Sequence, residues 1–366
     1  MTQAFTIPTR CPYCFEYLDP ATLQHTTPEG QSRNCARKEL PYGWQGAGVI
    51  TVAMAGARAS GKSVYLAVMI ELLSQFTNEV KGNWRPATSD TEAIYEEHFR
   101  TRLFEEGKAL ESTRRIGDNA TYTREPLIFS MDRPLLMGQR SQQEIFLVFR
   151  DIAGEDLQDS DIAAVKDELA FLSNADLVVF LFDPLADEDI RLALAGLPGM
   201  TQPEDGARTD PAMVLRNVLA IIEANRRPEQ APPRIAVTMS KFDVLQKLAE
   251  TQGEPRNMDV IMRNRGAAFN REGAGVNRPW DQNDNDLLHQ EIRSMLVTLD
   301  ARGLFNQLES WLRQGNPEDF YRCFAVSALG FQTRDDEVDS SGIAPFRCLD
   351  PIRSLLAAYG IDVPRV

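Results

Sequence analysis

Eight residues, Gly56-Ala57-Arg58-Ala59-Ser60-Gly61-Lys62-Ser63, carry the clearest chemistry in this chain. Glycines at both ends of such a turn let successive backbone N–H groups converge on one point, which suits a phosphate. The lysine adds a mobile positive charge, and the serine hydroxyl suits a divalent cation shared with that phosphate. Such a loop works when a strand delivers it and a helix leaves it, because the helix N-terminus adds its own positive end. Both flanks are legible: 49–54 is a β-branched apolar run and 63–75 has helical periodicity, with Tyr65 in the first turn. The residues expected to line a bound phosphate are therefore Gly56, Ala59, Ser60, Gly61, Lys62, Ser63 and Tyr65.

Three further signals follow in order, each at the end of an apolar run. Asp151-Ile152-Ala153-Gly154 follows 144–150. Its carboxylate could hold magnesium through water, and the Gly154 N–H could reach a terminal phosphate. Ser240-Lys241-Phe242-Asp243 follows 234–239. A carboxylate at the edge of a purine accepts from the N1–H and 2-amino group of guanine, which adenine lacks, so Asp243 could select GTP over ATP. The stem of Lys241 would lie across the purine plane, its ammonium bridging back to the phosphate loop. Ser327-Ala328-Leu329 follows 321–326 and offers a backbone N–H to the guanine oxygen.

In this order the motifs resemble the Ras-like, translation-factor-related (TRAFAC) class of P-loop GTPases, over roughly residues 49–360. The resemblance implies an α/β three-layer sandwich, with a mostly parallel sheet carrying one antiparallel edge strand and the nucleotide at the C-terminal strand ends. It implies GTP/GDP and Mg2+ as ligands, the metal held through Ser63, Asp151 and a threonine of the first switch segment. Thr121 and Thr123 both qualify, and Thr123 is preferred. Lys62, Ser63, Asp151 and Gly154 would form the catalytic set. Two residues depart from the pattern. Glu155 stands where a water-orienting glutamine is usual, which predicts slow hydrolysis because a carboxylate near the γ-phosphate is electrostatically unfavourable. Arg58 stands where a small residue is usual, and could act as an internal arginine finger or point to solvent. The function implied is a GTP-binding molecular switch, a weak or partner-stimulated hydrolase. The alternative is a non-hydrolysing scaffold that binds guanine nucleotide structurally.

The N-terminal stretch reads differently. Cys11 and Cys14 stand two residues apart around Pro12 and Tyr13, and Cys35 follows a polar, turn-rich segment. Two thiolates on one turn can share a tetrahedral zinc, with Cys35 a third ligand. His25 is the nearest candidate for the fourth, although an Asp, a Glu or a residue beyond Cys35 could serve. With these cysteines and long insertions, the chain is also loosely similar to bacterial double-GTPase-type proteins associated with conflict gene clusters. That similarity suggests a protein effector or activating partner within a multi-subunit complex.

Length and composition set the frame. The chain has 366 residues, enough for a large core, and reads as a Cys-rich segment at 1–45 followed by a GTPase-like domain at 46–366. Insertions are expected at 78–118, 251–283 and 331–349, the second read as mobile. A net charge of −14, spread along the chain, argues against nucleic acid as a partner. No run of about 18 apolar residues and no secretory signal is visible, so a cytoplasmic location is expected. Runs 126–131 and 144–150 read as a hairpin and 177–183 as a central strand. Helical patterns cover 90–110, 161–172, 210–225, 286–312 with a break near Gly303, and 350–359.

Overall fold

The computed structural model of the chain describes residues 6–32, 35, 38–79, 82–108, 110, 125–132, 144–158, 166–194, 209–250, 257–273, 275–330 and 342–361. Its strands are β1 (Gly48–Gly56), β2 (Asn83–Pro86), β3 (Leu127–Asp132), β4 (Ile145–Asp151), β5 (Leu177–Phe182), β6 (Arg234–Met239) and β7 (Tyr321–Ala325). They form one sheet in the order β2-β3-β4-β1-β5-β6-β7. Every residue of β1 and β5 is buried, as expected of apolar, β-branched runs covered on both faces. β1 lies between β4 and β5 and is parallel to both, with Val52 opposite Phe149 on one side and Leu177 on the other. β6 and β7 continue the parallel block.

The expected antiparallel hairpin is formed by β3 and β4, with Ile128 opposite Val148. β3 is not the edge, however. β2, inside the stretch read as an insertion, pairs antiparallel with β3, and Trp84 stacks on Phe129 at 4.9 Å. Four residues are too few for periodicity to announce a strand, whereas the aromatic stack supplies about 0.5–1.5 kcal/mol beyond area burial. Alternating exposure and a terminal Pro86 suit an outermost strand.

The main helices among the described residues are α1 (Lys62–Glu79), α2 (Ser89–Tyr95, continuing as a π-helix over Glu96–Glu105), α3 (Pro211–Asn225), α4 (Gln282–Thr298), α5 (Arg302–Arg313) and α6 (Asp350–Ala358). Asp210 caps α3 by accepting the Ala212 N–H, and Pro211 opens it, as the sequence predicts. α4 and α5 part ahead of Gly303, where Asp300 takes φ +60 between the buried Leu299 and Ala301. α1 and α6 share one face: Arg353 lies over the Phe76 ring, and the Tyr65 hydroxyl donates to the Cys348 carbonyl. α3 packs against α5 (Trp311 Nε1 donating to Glu223) and the short turn Ala170–Asn174, and the rule of right-handed crossovers assigns this group to the other face. Of the helix expected over 161–172, residues 161–165 lie outside the described residues, and 166–172 form turns instead of an α-helix.

Within the stretch 251–283 read as mobile, the described residues around 262–271 are packed instead. Met262, Ala267, Ala268 and Phe269 are buried, the Phe269 ring meets Phe242 at 6.0 Å, and Arg347 donates to the carbonyls of Ala268 and Arg271. Irregularly spaced apolar residues give no periodic signal, but a buried arginine pins this segment. The N-terminal stretch also joins the core: Trp44 stacks on Phe146 at 4.5 Å, and the Val49 N–H donates to the Pro8 carbonyl.

At the end of the sheet where β5 begins, the buried Asp176 carboxylate gathers four donors. Arg10 Nη2 lies at 2.9 Å, the Thr51 N–H and hydroxyl at 2.8 and 2.9 Å, and the Tyr359 hydroxyl at 2.6 Å. Burial lowers the Arg10 pKa, but Asp176, with Tyr17 and Tyr359, more than offsets it, so the guanidinium stays charged. Burial, reinforced by the same carboxylate, keeps the Tyr359 hydroxyl protonated.

Candidate nucleotide site and cysteine–histidine cluster

The parallel strands end on one edge at Gly56, Asp151, Phe182, Met239 and Ala325, and the described motif residues lie at or just beyond those ends. Gly56 takes φ +143, and a Cβ there would fall 2.1 Å from the Leu181 carbonyl oxygen, so only glycine lets the loop pass β5. Ala59 is held at φ +60, a left-handed strain that surrounding structure must impose. Lys62 is buried and curls back, donating to the carbonyls of Gly56 and Ala57 at 2.9 Å each. Burial pushes its pKa down, opposed by the Asp151 and Glu155 carboxylates.

The Ser63 hydroxyl donates to Asp151 Oδ2 at 3.0 Å, joining the first loop to the second through two oxygens that suit a hard cation such as magnesium. Gly154 lies directly on the first loop: a Cβ there would sit 2.4 Å from the Arg58 nitrogen. The two departures noted in the sequence meet here. Arg58 Nε lies 3.3 Å from Glu155 Oε1, with Arg58 65 % and Glu155 17 % exposed. Arg58 therefore faces solvent and at the same time offsets the carboxylate beside it. Nothing in the sequence signalled the pairing except that both residues are unusual. Tyr65 is a correction: its side chain is fully buried on Cys348, and its N–H donates to the Gly61 carbonyl, so it packs α1 and is turned away from the loop. Thr121 and Thr123 lie outside the described residues.

Across the edge, Asp243 is buried at the start of a short helix, Asp243–Gln246. Its Oδ1 accepts from the Ser327 hydroxyl at 2.6 Å. Its Oδ2 is buried and has no hydrogen-bond partner among the described residues. A buried carboxylate oxygen without a donor is costly, and a ligand presenting N–H groups would relieve it. The Ser327 hydroxyl also accepts the Gly330 N–H, whereas the Ser327 N–H donates to Phe346. Of the Ser327, Ala328, Leu329 trio, Ser327 thus contributes a hydroxyl instead of an amide.

Lys241 departs from expectation as well. At φ +51 its ammonium meets Asp183 Oδ2 at 2.8 Å instead of reaching the phosphate loop. Asp183 stands at the end of β5 and was not singled out, although a carboxylate following a central strand was a usable signal. Ser240 ties β6 to β5, its hydroxyl donating to the Phe182 carbonyl at 3.0 Å. Phe242, fully buried between Phe269 and Phe346, backs the loop from the pinned insertion.

The second cluster is N-terminal. Cys11, Cys14, His25 and Cys35 bring their ligand atoms within 4.8 Å of one another. Cys14 Sγ and His25 Nε2 are 3.2 Å apart, and Cys35 Sγ and His25 Nε2 3.8 Å. Tetrahedral bonds of about 2.3 Å to sulfur and about 2.1 Å to nitrogen put ligand atoms about 3.6 Å apart, so the set fits a zinc-sized ion. Contacts with Cys11 and Cys14 hold the Cys35 thiol well below its ordinary pKa, while Cys14 is raised by Cys11 and Cys35, as expected where one thiolate is favoured. His25, open in the sequence, occupies the fourth corner.

Against known proteins, the family model described as Double-GTPase 2 matches residues 50–296. A protein of Mycolicibacterium smegmatis with the provisional name ESX-1 scaffolding and assembly protein SaeC is 35 % identical over 326 residues, covering 88 % of this chain and 78 % of its own length. Among solved structures, the GTP-bound Saccharomyces cerevisiae Ski7 GTPase-like domain has a TM-score of 0.33 at 12 % identity over 85 % of this chain, which spans 50 % of that one. The signal recognition particle receptor SRb–GTP/SRX complex of Chaetomium thermophilum gives 0.30 at 13 % identity, over 78 % of this chain and 94 % of that one. By the family model and its 35 %-identical relative, the chain belongs to the Double-GTPase 2 family.

Proposed function

We propose that the chain is a GTP-binding switch with slow or partner-stimulated hydrolysis, working inside a protein assembly. The observation that carries this reading is Asp243, whose buried Oδ2 has no donor among the described residues. Guanine presents two N–H donors on one edge and adenine does not, so the orphaned oxygen favours guanine.

The remaining roles follow from the chain's own groups. Lys62 would exchange the carbonyls of Gly56 and Ala57 for the β- and γ-phosphates, whose negative charge answers the cost of burying its ammonium. Ser63 and Asp151 would hold magnesium, with Thr123 or Thr121 completing its shell; the ion, when bound, neutralises charge across the phosphates. Gly154 would offer its N–H to the γ-phosphate, and Ala328 or Leu329 an N–H to the guanine oxygen. A water oxygen would attack the γ-phosphorus, the bond to the β–γ bridging oxygen would break, and the proton would leave with the phosphate. Glu155 orients that water less well than an amide because its charge opposes the phosphate. Arg58 offsets part of that charge from 3.3 Å. Cys11, Cys14, His25 and Cys35 would hold zinc as a structural staple, since four protein ligands leave no open position.

No described helix is long and apolar enough to cross a membrane, and we assign the chain's work to the cytoplasm, through protein partners. The name of the SaeC relative supports assembly membership and favours a second reading, a scaffold that holds guanine nucleotide without cleaving it. Single-turnover hydrolysis of GTP separates the two. A switch is expected to show a slow, partner-sensitive rate that Glu155→Gln raises about tenfold, equivalent to roughly 1.4 kcal/mol off the barrier. Tight GTP binding with no turnover under any condition would leave the scaffold.

A further inference from the structure

The Cys11–Cys14 turn does not stand apart from the nucleotide site. Arg150, the residue immediately before Asp151, donates through Nη1 to the Tyr13 carbonyl inside that turn at 2.6 Å. Its guanidinium lies 3.7 Å over the Phe171 ring, and Phe171 meets Phe15 edge-on at 5.3 Å. Asn174 Nδ2 donates to the Cys14 carbonyl at 3.1 Å. The segment leaving β4 at Asp151 and entering β5 at Leu177 therefore grips the turn at both ends. In Ras-like switches this second segment changes with the nucleotide. The path of Tyr13 and Cys14 is in turn set by whether Cys11 and Cys14 close on one ion.

We infer that Arg150 is a positioning residue that couples metal loading of the Cys11–Cys14–His25–Cys35 cluster to the placement of Asp151, and so to nucleotide affinity. This rests on the roles proposed above for Asp151 and for the cluster. With the metal bound, the turn presents the Tyr13 and Cys14 carbonyls at fixed points, and Arg150 and Asn174 hold the two ends of the segment against them. Without it, both carbonyls move and Asp151 loses its anchor. Coupling of this kind is reciprocal: magnesium nucleotide would tighten the cluster's hold on its metal by the same factor.

The test compares Mg·GDP affinity by calorimetry, on zinc-loaded and chelator-stripped full-length protein, in wild type, Arg150→Met and Arg150→Lys. Loaded wild type is expected to bind about tenfold more tightly than stripped. Arg150→Met should bring that ratio to one, while Arg150→Lys, which can still donate to Tyr13 and cover Phe171, should keep most of it. A ratio of one in wild type, or an unchanged ratio in Arg150→Met, would overturn the coupling. So would a chain that takes up no metal. Hydrogen exchange gives an independent readout. Stripping should speed exchange over 144–158 and 166–176 and leave β6 unchanged, and Arg150→Met should abolish that dependence on metal. If no nucleotide binds, the nucleotide reading fails, while the exchange pattern still decides whether metal and segment are linked.

Discussion

Asp243→Asn is expected to lower GDP affinity by about 10²-fold or more and to raise affinity for xanthosine diphosphate. Sites built to hydrogen-bond a particular group discriminate strongly once the match is lost. In the proposed site the carboxylate would face the guanine edge as a pure acceptor, whereas an amide would present donors that suit the xanthine carbonyl instead. The substitution also suits the loop: the Ser327 hydroxyl can still donate to Oδ1 of an asparagine, so the fold around Gly330 should survive. Parallel calorimetry with the two diphosphates, alongside thermal melting to confirm the fold, makes the comparison. An unchanged preference for GDP would remove Asp243 from the base site.

The largest expected effect on stability comes from the opposite end of the sheet. Asp176→Ala should destabilise the protein by about 3–5 kcal/mol, the usual consequence of leaving one half of a buried ion pair without its partner. Arg10 and Asp176 are 8 % and 3 % exposed, and the same carboxylate holds Thr51 of β1 and Tyr359 beyond α6. Arg10 also donates to the carbonyls of Phe15 and Asn174, so its release would loosen the N-terminal segment on the sheet. Chemical denaturation measures the change. A loss below about 1 kcal/mol would mean the network is solvated in a way its burial does not suggest.

The strand ends were legible in the sequence because apolar runs on a parallel sheet are buried on both faces and stop abruptly at polar motifs. For that reason Gly56, Asp151 and Asp243 could be placed on one edge before any coordinates. What the sequence hid were pairings between residues far apart. Nothing local to Arg58 points to Glu155, and nothing in Lys241 points to Asp183, because an ion pair leaves no periodicity. β2 was too short to register, and the packed stretch around Phe269 reads as irregular until Arg347 is seen to bind its carbonyls. The cysteine spacing indicated a metal turn with Cys35 as third ligand, and the fold settles on His25 among the candidates left open for the fourth. Arg150 looked like the last residue of a strand, yet its hydrogen bond to Tyr13 ties the two candidate sites together.

We propose that the loop at Gly56–Ser63 holds the phosphates of a guanine nucleotide while Asp243 reads its base. Calorimetric titration of nucleotide-free protein with GDP and with ADP, in magnesium, tests it most directly. GDP is expected to bind at least about 10²-fold more tightly than ADP, in proportion to the hydrogen bonds adenine cannot make. Equal affinities for the two, or no binding of either, would contradict it.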